Sequence, residues 1–201
     1  RRTPSVLMTL LLCATAAAVG GALVFAAYLV SLRRSALHAF LRLEAELDRR
    51  YNLGLKLLRA TQTHLDHDDA VMTAFVDARG LATQTALDAF LRPECPELVL
   101  DLAKADEAYG RALSAYADYL RVFPVAQQAE VVKLLYTLAE TPERVRDAEV
   151  AYNRAADAYN VMRPSALRRL TFETLPAHLP LFSFRPAPLR VMTPVAVPVA
   201  A

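Results

Sequence analysis

The sequence predicts an all-α protein with an N-terminal transmembrane helix, an antiparallel up-and-down four-helix bundle and an extended, proline-rich C-terminal tail. Three observations support this prediction. No charged residue occurs between Thr3 and Leu32, which is typical of a membrane span. No proline occurs between Pro4 and Pro93, which favours long helices, whereas seven of the twelve prolines lie from residue 164 onward, where they disfavour helix. The predicted segments are the anchor, 1–32, the bundle, 33–163, and the tail, 164–201.

The apolar run from Val6 to Val30 is long enough to cross a bilayer. At about 1.5 Å per residue it forms a helix roughly 37 Å long, and a hydrocarbon core is about 30 Å thick. The alternative is a cleaved signal peptide, because Arg1 and Arg2 precede the run and small-residue triplets inside it resemble cleavage sites. Signal peptides have apolar cores of only about 7–15 residues, so the length favours a retained anchor.

The charges around the anchor give little information on its orientation. Arg1 and Arg2 at one end balance Arg33 and Arg34 at the other, so the positive-inside rule is nearly tied. We expect a single-pass protein of the bacterial inner (cytoplasmic) membrane, with the bundle on the periplasmic side.

Small residues recur every four positions along the anchor. Such a stripe lets a second helix approach closely in lipid, although alanine-rich anchors also contain this spacing by chance. The stripe consists of Ala14, Ala18, Ala22 and Ala26. It suggests contact between helices inside the membrane.

After the anchor, apolar residues at steps of three and four predict amphipathic helices packed side by side. The first bundle helix is predicted from about Leu32 to Leu65 as a continuation of the anchor helix, since no breaker stronger than Gly54 intervenes. The aspartates at 66, 68 and 69 are typical N-caps, so the second helix is expected to begin there. Pro93 and Pro96 end that helix and begin the third.

The third and fourth helices have the most regular apolar stripes. In the third, apolar residues follow at steps of three or four from Leu98 to Phe123, and Pro124 closes the helix. The fourth runs from Val131 to Met162 and contains Pro142, which predicts either a kink or a restart with Thr141 as N-cap. Tyrosines on these stripes are expected in the core with hydrogen-bonded hydroxyls. They are Tyr109, Tyr116, Tyr119, Tyr152 and Tyr159.

Composition and motifs argue against several classes of function. A net charge of +2 disfavours a nucleic-acid-binding protein, which needs a basic surface to neutralise phosphates. Five glycines leave little room for a phosphate-binding loop, and no glycine-rich nucleotide motif occurs. No serine lies in a nucleophile-elbow motif, and Cys95, in a helix connection, is expected to be a passive thiol. We therefore expect no enzymatic activity, no cofactor and no nucleic-acid partner.

One cluster contains side chains suited to a metal ion. His64 and His67 lie three residues apart with Asp68 beside them, and imidazole and carboxylate groups bind divalent metals. Aspartates at a helix start are also ordinary caps, and no other helix supplies a complementary ligand set. We assign no metal site, and a metal- or ligand-binding envelope protein using these three residues is the alternative function.

The stretch Arg42–Arg50 mixes acidic and basic residues at helical spacing. This pattern is typical of a solvent-exposed face with pairs four residues apart, such as Glu46 with Arg50. The alternative interpretation is a docking surface for another protein.

Two stretches resemble motifs of one protein family. Tyr152-Asn153 and Tyr159-Asn160 form a doubled Y-N motif, separated by five residues, late in the last helix. The stretch Leu47–Leu53 resembles an L-x-R-R-x-[DN]-L motif placed soon after a membrane span, with Arg49 and Arg50 as its arginines. With weaker matches between these two stretches, the chain resembles the LemA family of bacterial membrane-anchored helical proteins over roughly residues 32–160.

The resemblance implies an N-terminal span, an antiparallel helical bundle and no established enzymatic activity. Some relatives take part in building magnetosome membranes, which suggests a role in scaffolding. The motif also has a structural interpretation: Tyr152 and Tyr159 share a helix face, as do Asn153 and Asn160, so the tyrosines fill a seam while the asparagines hydrogen-bond at its margin.

These observations predict a non-enzymatic, membrane-anchored scaffold or accessory subunit of a larger bacterial membrane-protein assembly. The expected partners are the lipid bilayer and other membrane proteins or subunits of the complex. The apolar stretch from Pro186 to Ala201, which ends V-A-V-P-V-A-A, is expected to be extended or disordered and to dock on a partner. A cleaved, secreted bundle is a further alternative.

Overall fold

The structure is a computed structural model that describes residues 3–65, 69–162 and 178–185. Those residues form four α-helices and two short 3₁₀ helices, with no β-strand among them, which confirms the predicted all-α class. The α-helices are α1 (Thr3–Thr61), α2 (Ala70–Leu91), α3 (Pro96–Leu120) and α4 (Ala129–Met162), and the 3₁₀ helices are Gln62–His64 and Pro124–Gln127.

Helix α1 is continuous over 59 residues, as the absence of a strong breaker predicts. At about 1.5 Å per residue it is about 88 Å long. Its two halves have different surroundings. Large apolar side chains between Met8 and Val24 are exposed, Leu29 is buried, and a series of buried residues runs from Ala36 through Phe40 and Leu43 to Thr61. One helix therefore joins an unpacked apolar half to the core of the folded domain.

Two helix pairs build the domain: α1 packs along α4, and α2 packs along α3. On α1, Phe40 contacts Tyr152 of α4 at 4.8 Å between ring centroids, and Glu46 pairs with Arg144 at 3.1 Å. From the first of these contacts to the second, the residue number rises on α1 and falls on α4, so these two helices run in opposite directions. The contact extends along both helices, so α4 lies alongside α1 in an antiparallel arrangement.

Contacts across the two pairs show the directions of α2 and α3. Phe40 lies 5.1 Å from Phe90 near the end of α2, so α2 returns toward the start of the buried part of α1. Thr61, at the end of α1, hydrogen-bonds Tyr116 near the end of α3 at 2.5 Å. Helix α3 therefore runs in the same direction as α1, and successive helices alternate in direction.

The buried face of α3 agrees in part with the predicted stripe, because Tyr119 and Phe123 are only partly buried, and it is wider than that stripe. On α3, the predicted Leu102, Ala105, Tyr109 and Tyr116 are buried, and so are further residues beside them. The additional buried residues are Val99, Asp106, Gly110, Leu113, Ala117 and Leu120. Helix α3 contacts both α2 and α1, and two contacts on one helix require a broader buried face than a single seam does.

Helix α4 is continuous through Pro142, so the predicted restart with Thr141 as N-cap is wrong. Proline has no N–H, and the carbonyl of Leu138, four residues earlier, loses its usual helical donor. The hydroxyl of Thr141, which is buried, donates to that carbonyl at 2.7 Å. A side-chain donor thus satisfies the carbonyl and lets the helix continue.

Gly54 on α1 is a position of close approach, and its substitution gives a test of the packing. A Cβ atom there would overlap the hydroxyl of Tyr109 and press on Phe75, so we expect Gly54→Ala to lower the free energy of unfolding by about 1–3 kcal/mol. Gly80, inside α2, is the matched control because a Cβ there meets nothing within 4 Å. We expect Gly80→Ala to raise the free energy of unfolding by about 0.5–1 kcal/mol through helix propensity. Denaturant titration measures both changes, and equal effects of the two substitutions would contradict the packing described.

Candidate functional site

The site is the surface of α4 on which residues 178–185 are docked; we call these residues the C-terminal segment. They contain neither helix nor strand. The rest of the tail lies outside the described residues. Leu179 and Phe182 of the segment are only 3% and 2% exposed, so the segment completes the hydrophobic core. The prediction that the tail docks on a partner concerns residues 186–201, which lie outside the described residues, whereas residues 178–185 dock on their own chain.

Asn153 and Asn160 of α4 each bind the segment's main chain with two hydrogen bonds. The Asn153 amide donates to the carbonyl of Phe182 at 2.7 Å and accepts from its N–H at 2.9 Å. The Asn160 amide donates to the carbonyl of Leu179 at 2.9 Å and accepts from its N–H at 3.0 Å. Each side-chain amide therefore satisfies one residue's donor and acceptor, as a neighbouring β-strand would.

The spacing of the two asparagines has a geometric cause. Seven residues along an α-helix rise about 10.5 Å, and three residues along an extended chain rise about 10 Å. Asn153 and Asn160 are therefore about as far apart as Phe182 and Leu179, the two residues they bind. The doubled Y-N motif is a pair of clamps for an extended segment that runs antiparallel to α4.

Two further side chains of α4 complete the contacts with the segment. The Tyr152 hydroxyl donates to the carbonyl of Pro180 at 2.6 Å, and burial raises the pKa of Tyr152 to about 12. A carboxylate oxygen of Glu149 accepts from the N–H of Phe184 at 3.0 Å. The interactions with α4 thus involve main-chain groups from Leu179 to Phe184.

The sequence interpretation of the motif is confirmed for the tyrosines and needs correction for the asparagines. Tyr152 and Tyr159 are 1% and 0% exposed, in agreement with a role in the core. Asn153 and Asn160 hydrogen-bond to the C-terminal segment, which is distant in sequence from the helix seam that the pattern suggested. The apolar spacing Leu179-x-x-Phe182-x-Phe184 is the signal that would have pointed to this segment.

A buried ion pair lies beneath the segment. Arg50 of α1 bonds both carboxylate oxygens of Asp106 on α3, at 2.6 and 2.7 Å, and the two side chains are 2% and 1% exposed. Tyr51 donates to the same carboxylate at 3.0 Å, and Tyr109 donates to the main-chain carbonyl of Arg50 at 3.2 Å. Three polar side chains of the core thus meet at one carboxylate, and Tyr109 joins them through the main chain of Arg50.

Burial shapes the acid–base chemistry of this network. It raises the pKa of the Asp106 carboxyl above its usual value, although contact with Arg50 favours the ionised form. It also raises the pKa of Tyr51 well above its usual range, and the nearby Asp106 charge adds to that effect. The phenol therefore stays protonated and available as a donor, and the carboxylate depends on Arg50 for its charge.

Phe184 of the C-terminal segment covers the Arg50 guanidinium. The guanidinium carbon lies 5.4 Å from the centroid of the Phe184 ring and 5.1 Å from that of the Tyr109 ring. Cations interact favourably with aromatic faces at such distances. The segment therefore contacts the ion pair directly, in addition to its contacts with α4.

The position of Arg50 corrects the predicted solvent-exposed face. Glu46 pairs with Arg144 of α4, and Arg50 pairs with Asp106, so the predicted Glu46–Arg50 pair is absent. Arg49, the other arginine of the motif, is exposed. Apolar periodicity could not predict the ion pair. Asp106 follows Ala105 of the predicted apolar stripe, and an apolar pattern gives no information on where a charged side chain is buried.

The predicted metal cluster is only partly described. His64 is exposed and its Nε2 lies 3.5 Å from the side-chain nitrogen of Gln128, whereas His67 and Asp68 fall outside the described residues. Asp69 caps α2 by accepting from the N–H of Val71 at 2.7 Å, as predicted for this region. The described residues contain no group of three or more potential metal ligands, and the cluster at residues 64–68 stays a prediction.

The remaining predicted positions lie away from the docked segment. Ala14, Ala18 and Ala22 are exposed on the N-terminal half of α1, and Ala26 is partly buried. Cys13 is exposed on the same half, and Cys95 precedes α3 with its thiol 3.1 Å from a carboxylate oxygen of Glu97. These two cysteines are not joined in a disulfide.

No protein-family model matches the sequence, and no curated protein is similar enough to count as a match.

Removing the asparagine amides tests the docked segment. We expect Asn153→Ala/Asn160→Ala to increase amide hydrogen exchange in residues 178–185 by about 10- to 100-fold, because four hydrogen bonds to the segment are lost. Asn52→Ala is the matched control, since Asn52 is exposed and bonds only the nearby Asp48. Unchanged exchange in the segment of the double variant would contradict the clamp.

A double-mutant cycle tests the buried ion pair. Arg50→Met or Asp106→Leu alone leaves an unpaired buried charge, so we expect each to lower the free energy of unfolding by about 3–5 kcal/mol. The combined variant removes both charges and should be more stable than either single variant. Denaturant titration of the full chain measures all three. Strictly additive losses would show that the two side chains are not coupled.

Proposed function

We propose that this chain is a non-enzymatic, membrane-anchored scaffold or accessory subunit of a larger bacterial membrane-protein assembly, with an up-and-down four-helix bundle as its folded domain. The observation that carries the proposal is the exposure of the apolar half of α1. Met8, Leu11 and Val24 are 69%, 66% and 72% exposed, and this helix is long and apolar enough to span a membrane. Lipid or another apolar helix is the environment that such a surface requires.

The continuity of α1 supports a structural role. The same helix supplies the proposed span and a central part of the bundle core, so the domain has no flexible linker to the bilayer. A rigid joint of this kind holds the domain at a defined height and angle. Positioning of partners, which a scaffold performs, depends on such a defined placement.

The contacts of the motif residues support kinship with the LemA family. Arg50 is the buried member of the ion pair, and Asn153 and Asn160 bind the C-terminal segment. Residues that resemble a family motif thus hold distant parts of this chain together, and we propose that the chain is a divergent member. We place it in the inner membrane with the bundle on the periplasmic side.

Charge introduced into the apolar half of α1 tests the anchor. We expect the wild-type chain to remain with membranes after alkaline carbonate extraction, and Leu11→Arg/Val19→Arg to be released, because each arginine costs about 2.5–3.5 kcal/mol at the centre of a span. Leu41→Arg/Leu87→Arg is the matched control, since both leucines are exposed on the folded domain. The control should stay with membranes, and release of the wild-type chain would contradict the anchor.

Purification in mild detergent tests the scaffold role itself. We expect the wild-type chain to co-purify with other membrane proteins, which mass spectrometry identifies. A chain that always runs as a lone monomer would contradict this role while leaving the anchor in place.

A further inference from the structure

The end of α4 lies beside the last uncharged turn of α1. Tyr152 is level with Phe40, and Arg144 is level with Glu46, so moving forward along α4 corresponds to moving back along α1 by roughly the same number of residues. Continuing this relation for ten residues from Tyr152 places Met162 level with about residue 30 of α1. Leu32 and Ala158 line the same surface groove, which agrees with that alignment.

Residues of α1 at this level are typical of a membrane boundary. Tyr28 is 47% exposed at the end of the apolar half, and Arg33 and Arg34 are the first charges after it. Tyrosine, arginine and lysine are common where a span leaves the hydrocarbon for the head groups. If α1 spans a bilayer, the boundary lies within about one turn of the end of α4.

The last turn of α4 carries apolar side chains that no other part of the described chain covers well. Val161 is 70% exposed and Met162 is 38% exposed. We propose that this turn lies in the interfacial zone of the bilayer, so that the domain contacts lipid at a second point besides the anchor. This inference rests on the proposed membrane anchor. The partner of the last turn of α4 is the lipid bilayer.

The absence of tryptophan from the sequence allows a direct test. Val161→Trp introduces a single fluorophore, and the full chain is reconstituted in phosphatidylcholine vesicles that contain brominated lipids, which quench tryptophan at short range. Val122→Trp is the matched control, because Val122 is 77% exposed and follows the far end of α3. Val19→Trp reports on the anchor itself.

We expect Val161→Trp to be quenched at least about twofold, and more strongly by bromine near the head groups than near the chain ends, since interfacial side chains reach only about 5–10 Å into this zone. Val19→Trp should be quenched most by the deeper bromine, and Val122→Trp should not be quenched. Met162→Trp repeats the measurement should Val161→Trp unfold.

The outcomes separate this inference from the proposed anchor. Quenching of Val19→Trp without quenching of Val161→Trp and Met162→Trp would overturn the second contact and leave the anchor intact. Absence of quenching at position 19 would overturn the anchor and, with it, the inference that depends on it.

Discussion

A buried ion pair is the interaction on which the rest of this structure depends. A charge in the core is tolerated only if it is paired, so Arg50 and Asp106 hold α1 and α3 at one relative position along their axes. Tyr51 donates to the Asp106 carboxylate, Tyr109 donates to the main-chain carbonyl of Arg50, and Phe184 brings the C-terminal segment onto the guanidinium. Two helices and a distant segment of the chain thus meet at one side chain.

The helices could be predicted from the sequence because their signals are local. A run without helix breakers indicated the continuous α1, Pro93 and Pro96 marked the end of α2 and the start of α3, and periodic apolar residues identified most of the core. The predicted restart at Pro142 is wrong because the effect of this proline on the helix depends on the neighbouring Thr141. The hydroxyl of Thr141 satisfies the carbonyl that proline leaves without a donor, and no periodic pattern records such a bond.

The candidate site was less predictable because its contacts join residues far apart in sequence. The Y-N motif can be recognised in the sequence, but an asparagine on a helix carries no signal about which backbone group it binds. Its partners, Leu179 and Phe182, lie 19 and 29 residues away from Asn160 and Asn153, beyond the end of α4. Asp106 was missed for a related reason, since its role depends on Arg50 across the core and apolar periodicity takes no account of charge.

The continuity of α1 fixes a rotational relation between its two halves. Each residue of an α-helix advances by about 100°, so the side chains of the apolar half face directions that are set by the buried face of the domain. Inserting one residue near Ser31 would leave both halves helical and turn the domain by about 100° about the helix axis. The number of residues that separate the apolar half from the buried half therefore determines which side of the domain faces a neighbour bound along the apolar half.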